Sequence, residues 1–170
     1  MAPESEAPES EGSERADLLA RLEQEGEVAA DYLEGLLDIA DLDGDIDMDV
    51  EGQRAAVSIV GAELTDLVGR DGQVLEALQE LTRLAVAART GERSRLMLDI
   101  SGHRARRREQ LREQAAQAVA QVREQGSSVR MAPMTPFERK VIHDAVAEAG
   151  LRSESEGVEP ERCVIVLPAS

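Results

Sequence analysis

Apolar residues recur along this chain in two periods, and the switches between them mark out its elements. From Ala16 onward, Leu18, Leu19, Leu22, Val28, Tyr32, Leu33, Leu36 and Leu37 follow a helical spacing, weakened by Gly26 and Gly35. Ile46, Met48 and Val50 then alternate with Asp45, Asp47, Asp49 and Glu51, the two-residue period of a half-buried strand. After a turn at Gly52-Gln53, Ala55, Val57 and Ile59 alternate in a second strand, which predicts a hairpin. A short helix over 63–68 leads to a longer one from Gln73 that ends at Gly91, with Val74, Leu78, Leu81 and Ala85 as its apolar stripe. Leu96, Leu98 and Ile100 alternate as a third strand. The order is helix, strand, strand, helix, helix, strand.

A second set of elements follows. Residues 104–125 read as a long helix stopped by Gly126, then a short strand over 129–131, a helix starting after Thr135, and strands near 151–155 and 162–167. Residues 1–13 are Pro, Glu, Ser and Ala with almost no apolar bulk, a composition expected to stay disordered. The pattern predicts an acidic tail over 1–15, an α+β domain over 16–102, and a smaller α/β domain over 103–170 that begins with the long helix.

Composition changes the picture in two ways. One Phe, one Tyr and no Trp mean that the cores are aliphatic and that base stacking on aromatic side chains is scarce. The net charge of −16 is unevenly placed. Residues 1–52 hold 18 Asp/Glu against 2 Arg, while 53–170 hold 17 of each sign, so the whole excess sits in the first third. Whole-chain charge therefore does not exclude an anionic ligand for the remainder, where Arg104, Arg106, Arg107 and Arg108 cluster. The single Cys, Cys163, excludes an internal disulfide, and with two His it leaves no Cys/His zinc site. The N-terminus lacks the pattern of a signal peptide and no apolar run approaches membrane-spanning length, so the expected location is cytoplasmic, away from membranes. The aspartates at 41, 43, 45, 47 and 49 lack the glycine and glutamate that a calcium loop needs, and read as the outer face of a strand.

Two motifs carry the candidate chemistry. Gly69-Arg70-Asp71-Gly72 places two glycines around two polar residues between helices, so the backbone can approach a phosphate chain that a Cβ would block. The helix behind it offers free N–H groups and the positive end of its dipole. This is the mechanical core of a KH module, and the element order matches its type II arrangement. Arg70 adds positive charge, Asp71 subtracts it, and the competing reading is a tight helix–helix turn with Asp71 as N-cap.

The second motif is the helix after Thr135, where Thr135 and Glu138 form a capping box around Pro136. Phe137, Val141, Ile142, Ala145 and Val146 form its apolar arc, which leaves Arg139, Lys140 and His143 on a solvent-facing arc suited to phosphate or base contacts. Basic residues at 104–108 oppose the dipole at the start of their own helix, so a phosphate there would relieve an unfavourable placement. His103 has no acid or nucleophile beside it in the sequence and reads as a loop residue or a minor phosphate contact instead of a catalyst.

The run from Val129 to His143, the Ser155–Arg162 segment and Val164-Ile165-Val166-Leu167-Pro168 closely resemble the C-terminal R-3-H (Arg-x-x-x-His) domain of bacterial Jag/KhpB proteins. Residues 67–85 resemble the KH domain of that family, and the Arg-rich helix is similar too. The resemblance implies a type II KH-like domain joined by a long helix to a small R-3-H domain. It also implies a single-stranded RNA-binding protein without catalytic activity or cofactor, acting as a post-transcriptional regulator or RNA chaperone. The family is linked to cell-envelope growth and division, and its members often pair with a small KH-domain protein. The expected RNA-binding residues are Gly69, Arg70, Gly72, Arg104, Arg106, Arg107, Arg108, Arg139, Lys140 and His143. Single-stranded DNA is the related alternative ligand. The rival from another class is a protein-interaction adaptor that dimerises through its KH fold.

Overall fold

The computed structural model describes residues 9–169; the part of the expected acidic tail over 1–8 lies outside them. The chain divides into two compact units, one up to His103 and one from Arg104.

The first unit opens with helix α1 (Glu9–Ala40), one continuous helix that starts earlier than the apolar pattern alone indicates. Residues 9–15, expected to be disordered, are therefore helical. Glu9, Glu11, Glu14 and Arg15 favour helix, and extending a helix already anchored downstream needs no new nucleus, which offsets Gly12 and the two serines. Gly26, inside the helix, faces Met48, whose side chain lies 3.7 Å from the position a Cβ would take.

Strands β1 (Asp45–Glu51) and β2 (Arg54–Val60) pair antiparallel from Asp45↔Val60 to Glu51↔Arg54. The chain then passes through α2 (Thr65–Val68), a 3₁₀ turn (Arg70–Gly72) and α3 (Gln73–Thr90) before β3 (Met97–Ile100). That crossover brings β3 parallel to β2, giving the sheet order β1-β2-β3. The core joins Ala29, Leu33 and Leu37 of α1, Ala55, Val57 and Ile59 of β2, Leu75, Leu78 and Val86 of α3, and Leu98 and Ile100 of β3. The apolar stripe expected on α3 is rotated. Leu75, Leu78, Thr82 and Val86 are buried, whereas Val74 and Leu81 stand 41% and 52% exposed. The helix carries apolar residues on more than one face, so spacing left its rotation open. Buried Gln79 helps to fix it, its Oε1 accepting the Leu98 N–H at 3.0 Å.

The second unit comprises α4 (His103–Gln125, whose first residue belongs to the first unit), β4 (Val129–Arg130), α5 (Pro136–Glu148), β5 (Arg152–Glu156) and β6 (Cys163–Leu167). Its strands are all antiparallel in the order β4-β6-β5. Leu111, Ala115, Ala118, Val119 and Val122 line one face of α4 and meet Ile142 and Val146 of α5 and Val164 and Val166 of β6. The long helix is thus an integral part of this core as well as a connection.

Candidate nucleic-acid interface

In the glycine loop, both glycines are required by geometry. Gly69 and Gly72 have φ of 72° and 76°, in the region that L side chains rarely adopt. A Cβ on Gly69 would collide with Val74, and one on Gly72 would stand 2.8 Å from His103 Nε2. His103, expected to be a loop residue or a minor phosphate contact, is the first residue of α4 and packs against the glycine loop. The two central side chains, Arg70 and Asp71, are exposed. Asp71 is itself left-handed, with φ 54° and ψ 24°, and it does not cap α3. The N-cap is Gly72, which makes no side-chain cap hydrogen bond, so the N-cap reading of Asp71 is corrected. Asp is among the few residues that accept this conformation at modest cost.

In the second unit the capping box is complete. Thr135 Oγ1 accepts the Glu138 N–H at 3.3 Å, and Glu138 Oε2 accepts the Thr135 N–H at 3.0 Å. The other Glu138 oxygen, Oε1, accepts from Arg107 Nε at 2.6 Å. Arg104 is buried with its guanidinium 5.2 Å from the Phe137 ring centre, and Arg108 lies 5.4 Å from the same centre. The expected exposed phosphate patch over 104–108 is corrected accordingly. Arg104 and Arg107 hold the start of α4 against α5, and only Arg106 and Arg108 of the four stand exposed. A carboxylate and an aromatic face relieve the dipole opposition that suggested a phosphate.

The solvent-facing arc of α5 is also corrected. Arg139 is 8% exposed, with Nη1 donating to the Met134 carbonyl at 2.7 Å and Nη2 to Glu159 Oε1 at 2.5 Å. A buried guanidinium needs such partners, and tertiary neighbours supply them. Lys140 remains exposed and pairs with Asp144 at 2.8 Å. His143 is half-buried, with Nδ1 2.6 Å from Ser153 Oγ and Nε2 2.8 Å from Ser155 Oγ. The alternation of β5 turns both serines inward and Arg152, Glu154 and Glu156 outward. A neutral ring accepts from one hydroxyl and donates to the other, whereas an imidazolium donates to both. Burial, and then the Arg139 charge, hold the His143 pKa below 6.5 against a smaller opposite pull from Asp144.

These residues surround an open cavity of about 380 Å³ lined by Pro136, Arg139, Lys140, His143, Ser155, Glu159 and Arg162. Arg139, Lys140 and His143 are brought together as the spacing implied, on one shared hollow instead of one bare face. The sequence pattern assigned no role to Ser153, Ser155, Glu159 or Arg162. The period-two Ser-Glu-Ser of β5 was the one local signal that could have pointed to the serines. Among the described residues, no helix is long and apolar enough to cross a membrane.

Residues 109–168 match the R-3-H domain family. The chain is 32% identical to the RNA-binding protein KhpB of Clostridium symbiosum over 141 residues, which covers 81% of this chain and 64% of that protein. It is 33% identical to the RNA-binding protein KhpB of Bacillus subtilis over 106 residues, 61% of this chain and 51% of that one. It is 29% identical to the RNA-binding protein KhpB of Streptococcus pneumoniae over 170 residues, 96% of this chain and 52% of that one. The chain spans between 42% and 64% of the length of the relatives it matches. The chain thus carries an R-3-H domain, which contains the Arg139/His143 hollow, and is similar over most of its length to the KhpB proteins of the Jag family.

Proposed function

We propose that this chain is a single-stranded RNA-binding protein with two phosphate-contacting sites, one in each unit, and that it acts by binding without chemistry of its own. The observation that carries the reading is the Arg139 hollow. Arg139 is fixed from behind by the Met134 carbonyl, and its outward nitrogen already holds an anion, the 51%-exposed carboxylate of Glu159. A phosphate oxygen offers the same charge and acceptor geometry and can take that place. Lys140, Arg162 and the His143 ring line the same space, so an incoming phosphate meets several donors at once.

In the first unit, the element order and the two positive-φ glycines support a type II KH-like module whose backbone at Gly69 and Gly72 clamps a second phosphate, with Arg70 adding charge. Arg106 and Arg108, the exposed members of the arginine cluster, add to the positive surface. Linking two weak sites raises affinity through effective concentration. The family resemblance supports a cytoplasmic post-transcriptional regulator or RNA chaperone tied to cell-envelope growth. A second reading, pairing of the first unit with a small KH-domain protein or a second copy, is favoured by Val74, Leu81 and Leu84 exposed along α3.

The test is binding of single-stranded RNA across a salt series. The parent should show a steep slope, and Lys140→Ala should weaken binding and flatten the slope by about one. Asp71→Asn keeps a residue that tolerates the left-handed conformation while removing a carboxylate from the loop, so it should tighten binding with stability unchanged. A flat salt dependence, with both variants like the parent, would refute the reading.

A further inference from the structure

We propose that the groove between α1 and β1 is a docking site for a cationic amphipathic helix of a partner protein. This inference is independent of RNA binding. The groove holds a cavity of about 480 Å³ lined by buried Leu22 and Gly26, by exposed Met48, and by Glu23, Glu27 and Asp49. Leu19 and Met48, at its mouth, stand 41% and 51% exposed. Apolar side chains left open to water beside a shaped hollow mark a surface that gains by being covered. Methionine adapts its shape to such an occupant.

The occupant follows from charge. All of the chain's −16 excess lies in residues 1–52, which include both walls of the groove. That field repels RNA and anionic membrane surfaces and favours Lys- and Arg-bearing segments. It repels a second copy of the same face, and residues 1–8 of this chain carry Glu4 and Glu6 with no Lys or Arg. A strand added to the β1 edge is disfavoured here because the Val50 N–H is already taken by Asp49 Oδ1 at 2.7 Å. A helix that lays leucines on Leu22, Gly26 and Met48 and basic side chains against Glu23, Glu27 and Asp49 satisfies both halves of the surface.

The probe is a labelled synthetic helix about four turns long, with Leu on one face and Lys on the other, titrated into the full chain at about 50 mM salt. Two variants address the groove. Glu23→Gln/Glu27→Gln strips its rim, and Gly26→Met fills its floor at a helical position where an added Cβ meets nothing closer than 3.7 Å. Both should bind the probe roughly tenfold more weakly. The charge-matched control Glu113→Gln/Glu124→Gln in α4 should bind like the parent. A probe with Ser for Leu should bind as weakly as the groove variants do, and the Met48 methyl NMR signal should shift only with the Leu probe. Equal affinity in parent and groove variants, or equal binding of the Ser probe, would overturn the proposal by reducing the attraction to net charge. Self-association abolished by Gly26→Met would overturn it in favour of a second copy.

Discussion

His143 is the residue at which burial changes the expected chemistry most. An exposed imidazole would titrate near its ordinary value of roughly 6.5, whereas here burial and Arg139 lower the pKa. The unfolded chain then binds the proton more readily than the folded one. The stability contributed by this group is complete above pH 6.5 and is lost as pH falls through the lowered folded value. A phosphate bound beside the ring, as proposed, would favour the imidazolium, so RNA binding should take up a proton and tighten as pH falls. The gain should continue to below pH 6.5 before it levels off at the free protein's pKa. Affinities measured from pH 8 to pH 5 should show it in the parent and not in His143→Gln. Arg139→Gln removes one of the causes of the lowering, so the His143 ring should titrate at higher pH, as read from its NMR signal. A ring that titrates unchanged in that variant would mean that Arg139 does not set its charge.

At the scale of an element, α5 depends on Glu138 for two tasks. One carboxylate oxygen closes the capping box and the other receives Arg107, 31 residues away in sequence. Thr135→Ala loses the cap alone and should cost about 1 kcal/mol. Glu138→Ala also removes the carboxylate that Arg107 Nε bonds, leaving that guanidinium only its 3.3 Å contact with Gln110, and should cost about 2–3 kcal/mol. Urea unfolding followed at the His143 signal, which reports the second unit, measures both; equal losses would show that the Arg107 pair contributes nothing. The start of α5 was legible in the sequence because Thr135, Pro136 and Glu138 act within one turn. Its inward face was not. Arg139 is buried only because the Met134 carbonyl and Glu159 meet it there.

For the whole molecule, the governing quantity is the uneven charge. The excess negative charge of residues 1–52 should oppose an anionic ligand over a range set by screening, about 10 Å at 0.1 M salt. Glu11→Gln with Glu14→Gln keeps good helix formers in α1 and removes two charges. The pair should tighten RNA binding modestly at low salt and have no effect at high salt. Unchanged affinity at low salt would mean that the acidic segment exerts no field at the binding sites.

The sequence alone determined the element order, the paired glycines and the capped Arg/His helix. Each rests on interactions within a few residues: a period, a positive φ, a side chain bonding to its own turn. It also carried the family resemblance, which the R-3-H match and the KhpB relatives uphold. Tertiary structure decided which faces are buried and which charges are occupied. The rotation of α3 depends on Gln79 meeting Leu98, and Arg104 is withdrawn from solvent by Phe137. The His143 ring lies between two serines of a strand ten and twelve residues on. Local spacing places a residue on a helix to within a face; only the neighbour brought from elsewhere in the chain determines whether that face meets water, a core or an opposite charge.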